Sequence, residues 1–240
     1  MEVALVVAIV FVGALVRATF GFGEAVVSMP LLALLPISLH TAIALIGLAG
    51  LTVAILAVAT GWRHVDRAAM ARLVPATVVG VPVGLLLVAY APAELVTGLL
   101  GGCLIGYGAY SLARPAFRAL EHPQWALLFG FGAGALGAAY NVNGVPVAVY
   151  AGLRGWDPNR FRGTLQAHFL VSGVVIVTGQ ALAGLWSREV WTDYGLALPT
   201  IIGAMVLGTA LHRRIPAERF ARYVYLLVIA LGVVSLVRAL

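Results

Sequence analysis

The chain has 240 residues, of which 62% are hydrophobic and only 10% are charged. Soluble domains carry about 25% charged residues, and no soluble fold of this length could bury so much apolar surface. The excess requires lipid as a second apolar solvent, so the composition excludes an ordinary soluble protein and predicts an all-α polytopic membrane protein.

The formal net charge is +6, and every basic residue is an arginine. The arginines lie between long uncharged runs, as expected of loops that face a negatively charged cytoplasmic leaflet. This distribution favours the lipid bilayer over nucleic acid as the partner. One cysteine, Cys103, allows neither a disulfide within the chain nor a cysteine-based metal site, and we expect no metal and no cofactor.

Six stretches approach the roughly 20 apolar residues that a helix needs to cross the hydrocarbon core. They are residues 41–60, 73–93, 95–113, 163–187, 194–211 and 223–237. Two further regions, 3–39 and 123–153, are interrupted near 17–24 and 140–146. The second has no charge over 31 residues. As one helix it would be about 46 Å long against a core of about 30 Å. We therefore predict two short helices joined near the membrane midplane.

The two halves of the sequence resemble each other. The segment 73–80 parallels the segment 197–203, and Pro75 in the first corresponds to Pro199 in the second. Further along, Glu94 corresponds to Glu218. Both pairs of residues are 124 positions apart. The interrupted regions match at an offset of 116, through residues 21–30 and 137–146. We predict one transmembrane domain, 1–240, in which repeat one covers 1–118 and repeat two covers 119–240.

The arginines predict how these halves lie in the membrane. Suppose that each interrupted region is a pair of helices that is re-entrant or crosses twice, and that three spans follow it. Twelve arginines then share one face of the membrane. They are Arg63, Arg67, Arg72, Arg114, Arg118, Arg154, Arg160, Arg162, Arg213, Arg214, Arg219 and Arg222. Arg188 and Arg238 fall on the other face. A single crossing would divide the same 14 residues seven to seven. The positive-inside rule favours the first arrangement, with inverted repeats and both termini outside the cytoplasm.

The interruptions are the candidate anion site. The first turn of a short helix presents free N–H donors and a partial positive charge, which suit an anion, and glycine lets the ligand approach the backbone closely. These features select the backbone at Gly21, Gly23 and Gly144 and the side chains of Asn141 and Asn143. The alternative for the glycines is helix packing through small residues.

Four other polar residues have two readings each. Arg17 and Glu24 flank the first interruption, where they are either an anion contact and a proton site or a structural ion pair. His168 is either a proton-coupling residue or an interfacial histidine, and Gln166 lies beside it. The sequence contains no metalloprotease, nucleotide-binding or nucleophile-elbow motif. We therefore expect that the protein is not an enzyme. If its function is coupled to an energy source, we expect that source to be a gradient of protons or of another ion.

The paired glycine-rich segments, 21–30 (GFGEAVVSMP) and 137–146 (GAAYNVNGVP), and the segment 162–165 (RGTL) resemble the TauE/SafE family, also called sulfite exporters. This resemblance covers nearly the whole chain and adds Tyr140 to the candidate site. It implies transport of sulfite, sulfonates or thiosulfate across a bacterial inner membrane. In that membrane, the orientation predicted from the arginines makes both termini periplasmic. A non-transporting membrane subunit packed through glycines is the alternative function, and a homodimer remains an open alternative for its assembly.

Overall fold

Helices make up all the secondary structure that is described. The computed structural model describes residues 2–58, 62–113, 120, 122–212 and 217–239, with no strand among them. The helices are α1 (Glu2–Phe20), α2 (Glu24–Leu32), α3 (Leu39–Val58), α4 (Arg67–Tyr90), α5 (Ala93–Ala113), α6 (Trp125–Tyr140), α7 (Gly144–Leu153), α8 (Pro158–Leu182), α9 (Arg188–His212) and α10 (Ala217–Arg238). Arg114, Arg118, Arg213, Arg214 and the predicted repeat boundary at 118–119 lie outside the described residues.

Among the described residues, six helices are long and apolar enough to cross a membrane, and five of them overlap the predicted stretches. They are Val3–Phe20, Leu39–Ala57, Arg67–Tyr90, Ala93–Ala113, Pro158–Leu182 and Arg188–Leu211. The remaining one, α1, is the part of the predicted interrupted region 3–39 that precedes the interruption, and it is continuous for 19 residues. In α10, the described apolar part is the shorter Val228–Val237.

Large apolar side chains cover the outside of the bundle. On α4, Val79, Val83 and Leu86 follow helical spacing and are 65%, 48% and 55% exposed. Such a stripe would be unstable in water but is the expected surface toward lipid. The apolar outer surface of the bundle therefore supports a membrane-spanning protein, as the composition does.

Each short helix folds back along the helix before it. In the first pair, the Ser28 hydroxyl of α2 donates to the Ile9 carbonyl of α1 over 3.3 Å, and Gly13 leaves the space that Ser28 occupies. In the second pair, the Leu120 N–H donates to the Leu153 carbonyl over 3.0 Å, so the end of α7 returns to the approach to α6. In each pair the chain therefore turns back at the interruption.

The long helices pack by exchange between the halves. Helix α4 of the first half packs on α6 of the second, and α9 of the second half packs on α1 of the first. Two other contacts also join the two halves, α3 with α8 and α5 with α10. Gly84 and Gly208, which are 124 residues apart (208 − 84), both lie at the exchanged contacts, against α6 and α1 respectively.

A polar cluster ties α4 to α8 where both helices begin. The Asp66 carboxylate accepts from the Ala69 N–H over 3.0 Å and pairs with Arg160, while the Asp66 N–H donates to Thr164 over 2.9 Å. Partial burial favours the protonated acid, but the Ala69 and Arg160 hydrogen bonds outweigh it and lower the pKa of Asp66. The cluster places the starts of α4 and α8 at the same end of the bundle.

The α4–α6 contact predicts a position-specific cost for a larger side chain. A Cβ at Gly134 would collide with the Thr77 carbonyl and lie 3.0 Å from the Gly80 Cα, and backbone on α4 cannot rotate away. We expect Gly134→Val to lower the free energy of unfolding by about 1–3 kcal/mol, as measured by denaturant titration in detergent. Gly102→Val is the control, because a Cβ there meets no atom within 4 Å. Equal loss in both variants would contradict this packing.

Candidate functional site

Both interruptions border one small cavity inside the bundle. Helices α3 and α8 complete its walls, and its volume is about 40 Å³. Pockets for drug-sized ligands are about 300–1,000 Å³. The cavity is lined by Arg17, Phe22, Gly23, Glu24, Ala25, Val26, Ile46, Gly47, Gly50, Leu51, Asn141, Val142, Asn143, Gly144, Val145, Phe169, Gly173, Ile176 and Val177. Its size suits a ligand of only a few heavy atoms.

The first interruption spans only Gly21–Gly23. Gly21 has φ 88° and Gly23 has φ 101°, left-handed values that side chains other than glycine rarely adopt. Helix α2 then begins at Glu24, and the next residues, Ala25 and Val26, line the cavity. The first N–H groups of a helix have no partner within it. The start of α2 therefore directs donors and a partial positive charge at the cavity.

The second interruption also begins with a left-handed residue, but that residue is an asparagine, and Asn143 before α7 is right-handed where Gly23 before α2 is left-handed. Asn141 is left-handed with φ 58°, and its N–H donates to the Gly137 carbonyl over 2.8 Å, which closes α6. Helix α7 begins at Gly144, where a Cβ would lie 2.7 Å from the Phe169 ring. Asn143, Gly144 and Val145 line the cavity, so the start of α7 also faces it.

Arg17 and Glu24 form an ion pair at the cavity wall. Their side-chain atoms Nη1 and Oε2 are 2.9 Å apart, and both residues are buried, with 6% and 3% exposure. Arg17 Nη1 also donates to the Gly50 carbonyl over 2.9 Å, and its guanidinium carbon lies 4.5 Å from the centre of the Phe169 ring. Arg17 and Glu24 therefore form the structural ion pair considered from the sequence, although the pair does not use every hydrogen-bonding atom of the two side chains.

Three polar atoms of this pair remain without a partner among the described residues. They are Nε and Nη2 of Arg17 and Oε1 of Glu24. A buried donor that lacks an acceptor is costly, and a guanidinium presents its N–H groups in a planar fork that matches an oxyanion. The arrangement can therefore accept an anion at Arg17 without first breaking the ion pair.

The asparagine amides hold the second interruption and retain donor capacity. Asn141 Nδ2 donates to the Ile43 carbonyl over 2.6 Å, and Asn143 Nδ2 donates to the Ser172 hydroxyl over 2.8 Å. Gln180 Nε2 donates to Asn141 Oδ1 over 3.2 Å. An amide nitrogen carries two N–H groups, so each asparagine keeps one donor beyond these bonds.

Four sequence candidates lie outside the cavity lining. Gln166 Nε2 donates to the Gly21 carbonyl over 2.8 Å, so these two residues support the first interruption from behind. His168 is fully buried with Nε2 3.0 Å from the Thr77 hydroxyl, near the α4–α6 contact. The buried Tyr140 hydroxyl has no partner among the described residues. Arg17, Gly23, Glu24, Asn141, Asn143 and Gly144 are the candidates that the fold brings together.

The fold adds residues that the sequence reading omitted. Gly47 and Gly50 of α3 line the cavity, and a Cβ at Gly50 would lie 3.3 Å from Arg17 Nη1 and 3.4 Å from Glu24 Oε2. Phe22 and Phe169 contribute the aromatic wall. Two glycines three residues apart in the middle of an apolar span were the available signal for the α3 wall. Among the described residues, no group of three or more His, Cys, Asp or Glu side chains is placed to hold a metal ion.

Comparison with known families identifies the family of the chain. A family model described as sulfite exporter TauE/SafE matches residues 5–235. The chain belongs to the TauE/SafE family. The resemblance in the glycine-rich segments is thereby confirmed, and TauE/SafE membership together with the six apolar helices makes this chain a multi-pass integral membrane protein of an anion-exporter family. TauE/SafE proteins are transporters and not enzymes. No curated protein and no solved structure matches the chain.

Proposed function

We propose that this TauE/SafE protein transports a small sulfur oxyanion or organosulfonate, such as sulfite, through the cavity between the two interruptions. The observation that carries the proposal is the convergence of three positive features. The starts of α2 and α7 face one cavity, and Arg17 offers at its wall two nitrogens, Nε and Nη2, that have no partner among the described residues. A small oxyanion needs several donors to replace its water, and these groups supply them in a site of matching size.

The proposed architecture is a pair of inverted repeats, each with a re-entrant helix pair followed by three spans. The exchanged contacts of α4 with α6 and of α9 with α1 support a pseudo-twofold relation. The folded-back pairs α1–α2 and α6–α7 support an even number of passages in each interrupted region. Because three spans follow, each repeat reverses the orientation of the next, and the two interruptions meet at the axis.

The proposed location is a bacterial inner membrane with both termini periplasmic. The starts of α4 and α8, joined by Asp66 and Arg160, lie at the arginine-rich end of the bundle. An excess of arginine marks cytoplasmic loops. The start of α1 then lies at the opposite end, beside Arg188 and Glu189 at the start of α9.

Site-directed labelling tests this orientation. We expect Val3→Cys and His64→Cys, each in a Cys103→Ser background, to react with a membrane-impermeant thiol reagent from opposite sides of sealed vesicles. Gly155→Cys in the loop before α8 is the control and should label from the same side as His64→Cys. If Val3→Cys and His64→Cys label from the same side, the inverted arrangement is wrong.

Transport by the purified chain tests the function itself. In liposomes without any partner, the protein should move sulfite or a sulfonate down its gradient. If the folded protein moves none of sulfite, sulfonates, thiosulfate and carboxylates, the alternative of a non-transporting membrane subunit takes its place.

The second asparagine gives the sharpest test of the site. Losing a hydrogen bond to a charged ligand costs about 1.5–3 kcal/mol, which is roughly 10- to 150-fold in affinity. We expect Asn143→Ala to weaken anion binding by this factor, measured by calorimetry on the purified protein. Ser172→Ala controls for the lost Asn143–Ser172 bond, and Asn159→Ala controls for an asparagine exposed outside the cavity. Wild-type affinity in folded Asn143→Ala would place the site elsewhere.

We further propose that Glu24 carries a coupling proton. Its carboxylate and a bound anion share Arg17 as their positive partner, and Glu24 Oε1 has no other partner among the described residues. Bringing a second negative charge to the pair favours protonation of Glu24, since two anions at one cation repel each other. Anion binding and proton uptake would then be linked at one place.

Removing the titratable group separates coupling from transport. We expect Glu24→Gln, which keeps the shape of the side chain, to abolish proton-driven accumulation of the anion but to preserve exchange of anion for anion. Glu189→Gln is the control, because Glu189 accepts from Thr41 at the start of α9, outside the cavity. If proton-driven accumulation survives in Glu24→Gln, Glu24 has only a structural role.

A further inference from the structure

A second cavity lies next to the central one and has different chemistry. Its volume is about 340 Å³, and Tyr107, Tyr110, Tyr225 and Phe161 form much of its wall; we name it the tyrosine vestibule. Ser111 adds another hydroxyl, and the lining contains no charged side chain among the described residues. Hydroxyls and ring edges can donate weakly to an anion without holding it tightly. The vestibule is therefore suited to passage rather than to tight binding.

The tyrosine vestibule lies toward the arginine-rich end of the bundle. Phe161 stands between Arg160 and Arg162 near the start of α8, and Gly152, also in the lining, precedes Arg154 by two residues. Tyr110 is three residues from the end of α5. The vestibule thus connects the region of the central cavity with the end at which basic loops would collect anions.

One side chain separates the two cavities. Phe22 is the one residue that lines both the central cavity and the tyrosine vestibule, as far as the chain is described. On the vestibule side its ring meets Tyr107 and Phe161 edge to face, with 6.1 Å between ring centres in each case. On the other side lie the Glu24–Val26 start of α2 and the rest of the central lining.

The backbone on both sides of Phe22 is glycine. Gly21 and Gly23 both have left-handed φ values, and no helix includes residues 21–23. A residue between two glycines outside regular structure can change its backbone angles with few steric barriers. The ring is half-buried and makes edge contacts, without a hydrogen bond that would need to be broken for it to move.

We propose that Phe22 is the gate between the central cavity and the tyrosine vestibule, and that the space left when its ring moves sets the largest anion that can pass. This inference rests on the proposed transport function and adds the route and the residue that determines size selectivity. A bulky organosulfonate must displace the ring further than sulfite does. A smaller side chain at position 22 should therefore favour large sulfonates over small ones.

Flux of anions of different size tests the gate. In liposomes, we expect Phe22→Ala to raise the ratio of ethanesulfonate to sulfite flux by roughly tenfold, the order of discrimination that a steric pocket provides. Sulfite affinity, measured by calorimetry, should change much less than in Asn143→Ala. The flux ratio of Phe22→Leu should lie between those of the wild type and Phe22→Ala, and this variant provides the test if Phe22→Ala fails to fold.

A matched aromatic truncation controls for a general loosening of the fold. Phe129→Ala removes a ring that packs on Tyr150 and lines neither cavity. It should not alter the flux ratio as Phe22→Ala does. An unchanged ratio in a folded Phe22 variant that still moves sulfite, or an equal change in Phe129→Ala, would overturn the proposal.

An accessibility measurement keeps the gate testable even if the transport assay gives no flux. Ala25→Cys in a Cys103→Ser background places one thiol in the central cavity. A small anionic methanethiosulfonate added at the arginine-rich face should label this thiol faster when Phe22 is alanine. Absence of wild-type flux with faster labelling would refute the transported anion but support the gate. An unchanged labelling rate would refute the gate while leaving transport untouched.

Discussion

The structure depends on the requirement that backbone polar groups inside a membrane have partners within the protein. Two interruptions, Gly21–Gly23 and Asn141–Asn143, break the helical hydrogen-bond pattern in the bundle interior. Other groups of the protein compensate: the Gln166 side chain of α8 donates to the Gly21 carbonyl, the Asn141 backbone N–H closes α6, and the Asn141 side chain ties the second interruption to the Ile43 carbonyl of α3. Lipid supplies no such groups, so the rest of the bundle must enclose both interruptions.

Enclosure requires close approach of helices, and small residues make it possible. Gly130 and Gly134 of α6 meet the α4 backbone directly, and Gly208 brings α9 against α1. Gly101 and Gly232 each face the carbonyl of the other across the α5–α10 contact, with 2.7 and 2.9 Å from a Cβ to the oxygen. The glycines therefore have both roles considered from the sequence. Those that let helices pack closely surround the glycines whose left-handed backbone forms the first interruption.

Electrostatics in the cavity follows from the same enclosure. A lone arginine at this depth would cost several kcal/mol, and Glu24 balances it. The pair is incompletely hydrogen-bonded, and two helix starts add positive potential beside it. The site is therefore neutral overall when empty but favourable to one more small negative charge, which is the property that an anion carrier requires.

The membrane class, five of the six spanning helices and both interruptions followed from the sequence, because apolar run length and glycine or asparagine preferences are local properties. The family also followed from local motifs. The tertiary structure decided which candidates meet: Arg17, Glu24 and Asn143 line one cavity, whereas Gln166 and His168 turn to other partners. Helical spacing alone could not separate these sets, because the direction of each side chain depends on how α8 packs against α3 and α4. The same packing placed Phe22 between two cavities and Gly50 beside Arg17. Gly50 and Arg17 are far apart in the chain, and the position of Phe22 depends on the backbone angles of the glycines beside it. No periodicity in the sequence encodes either arrangement.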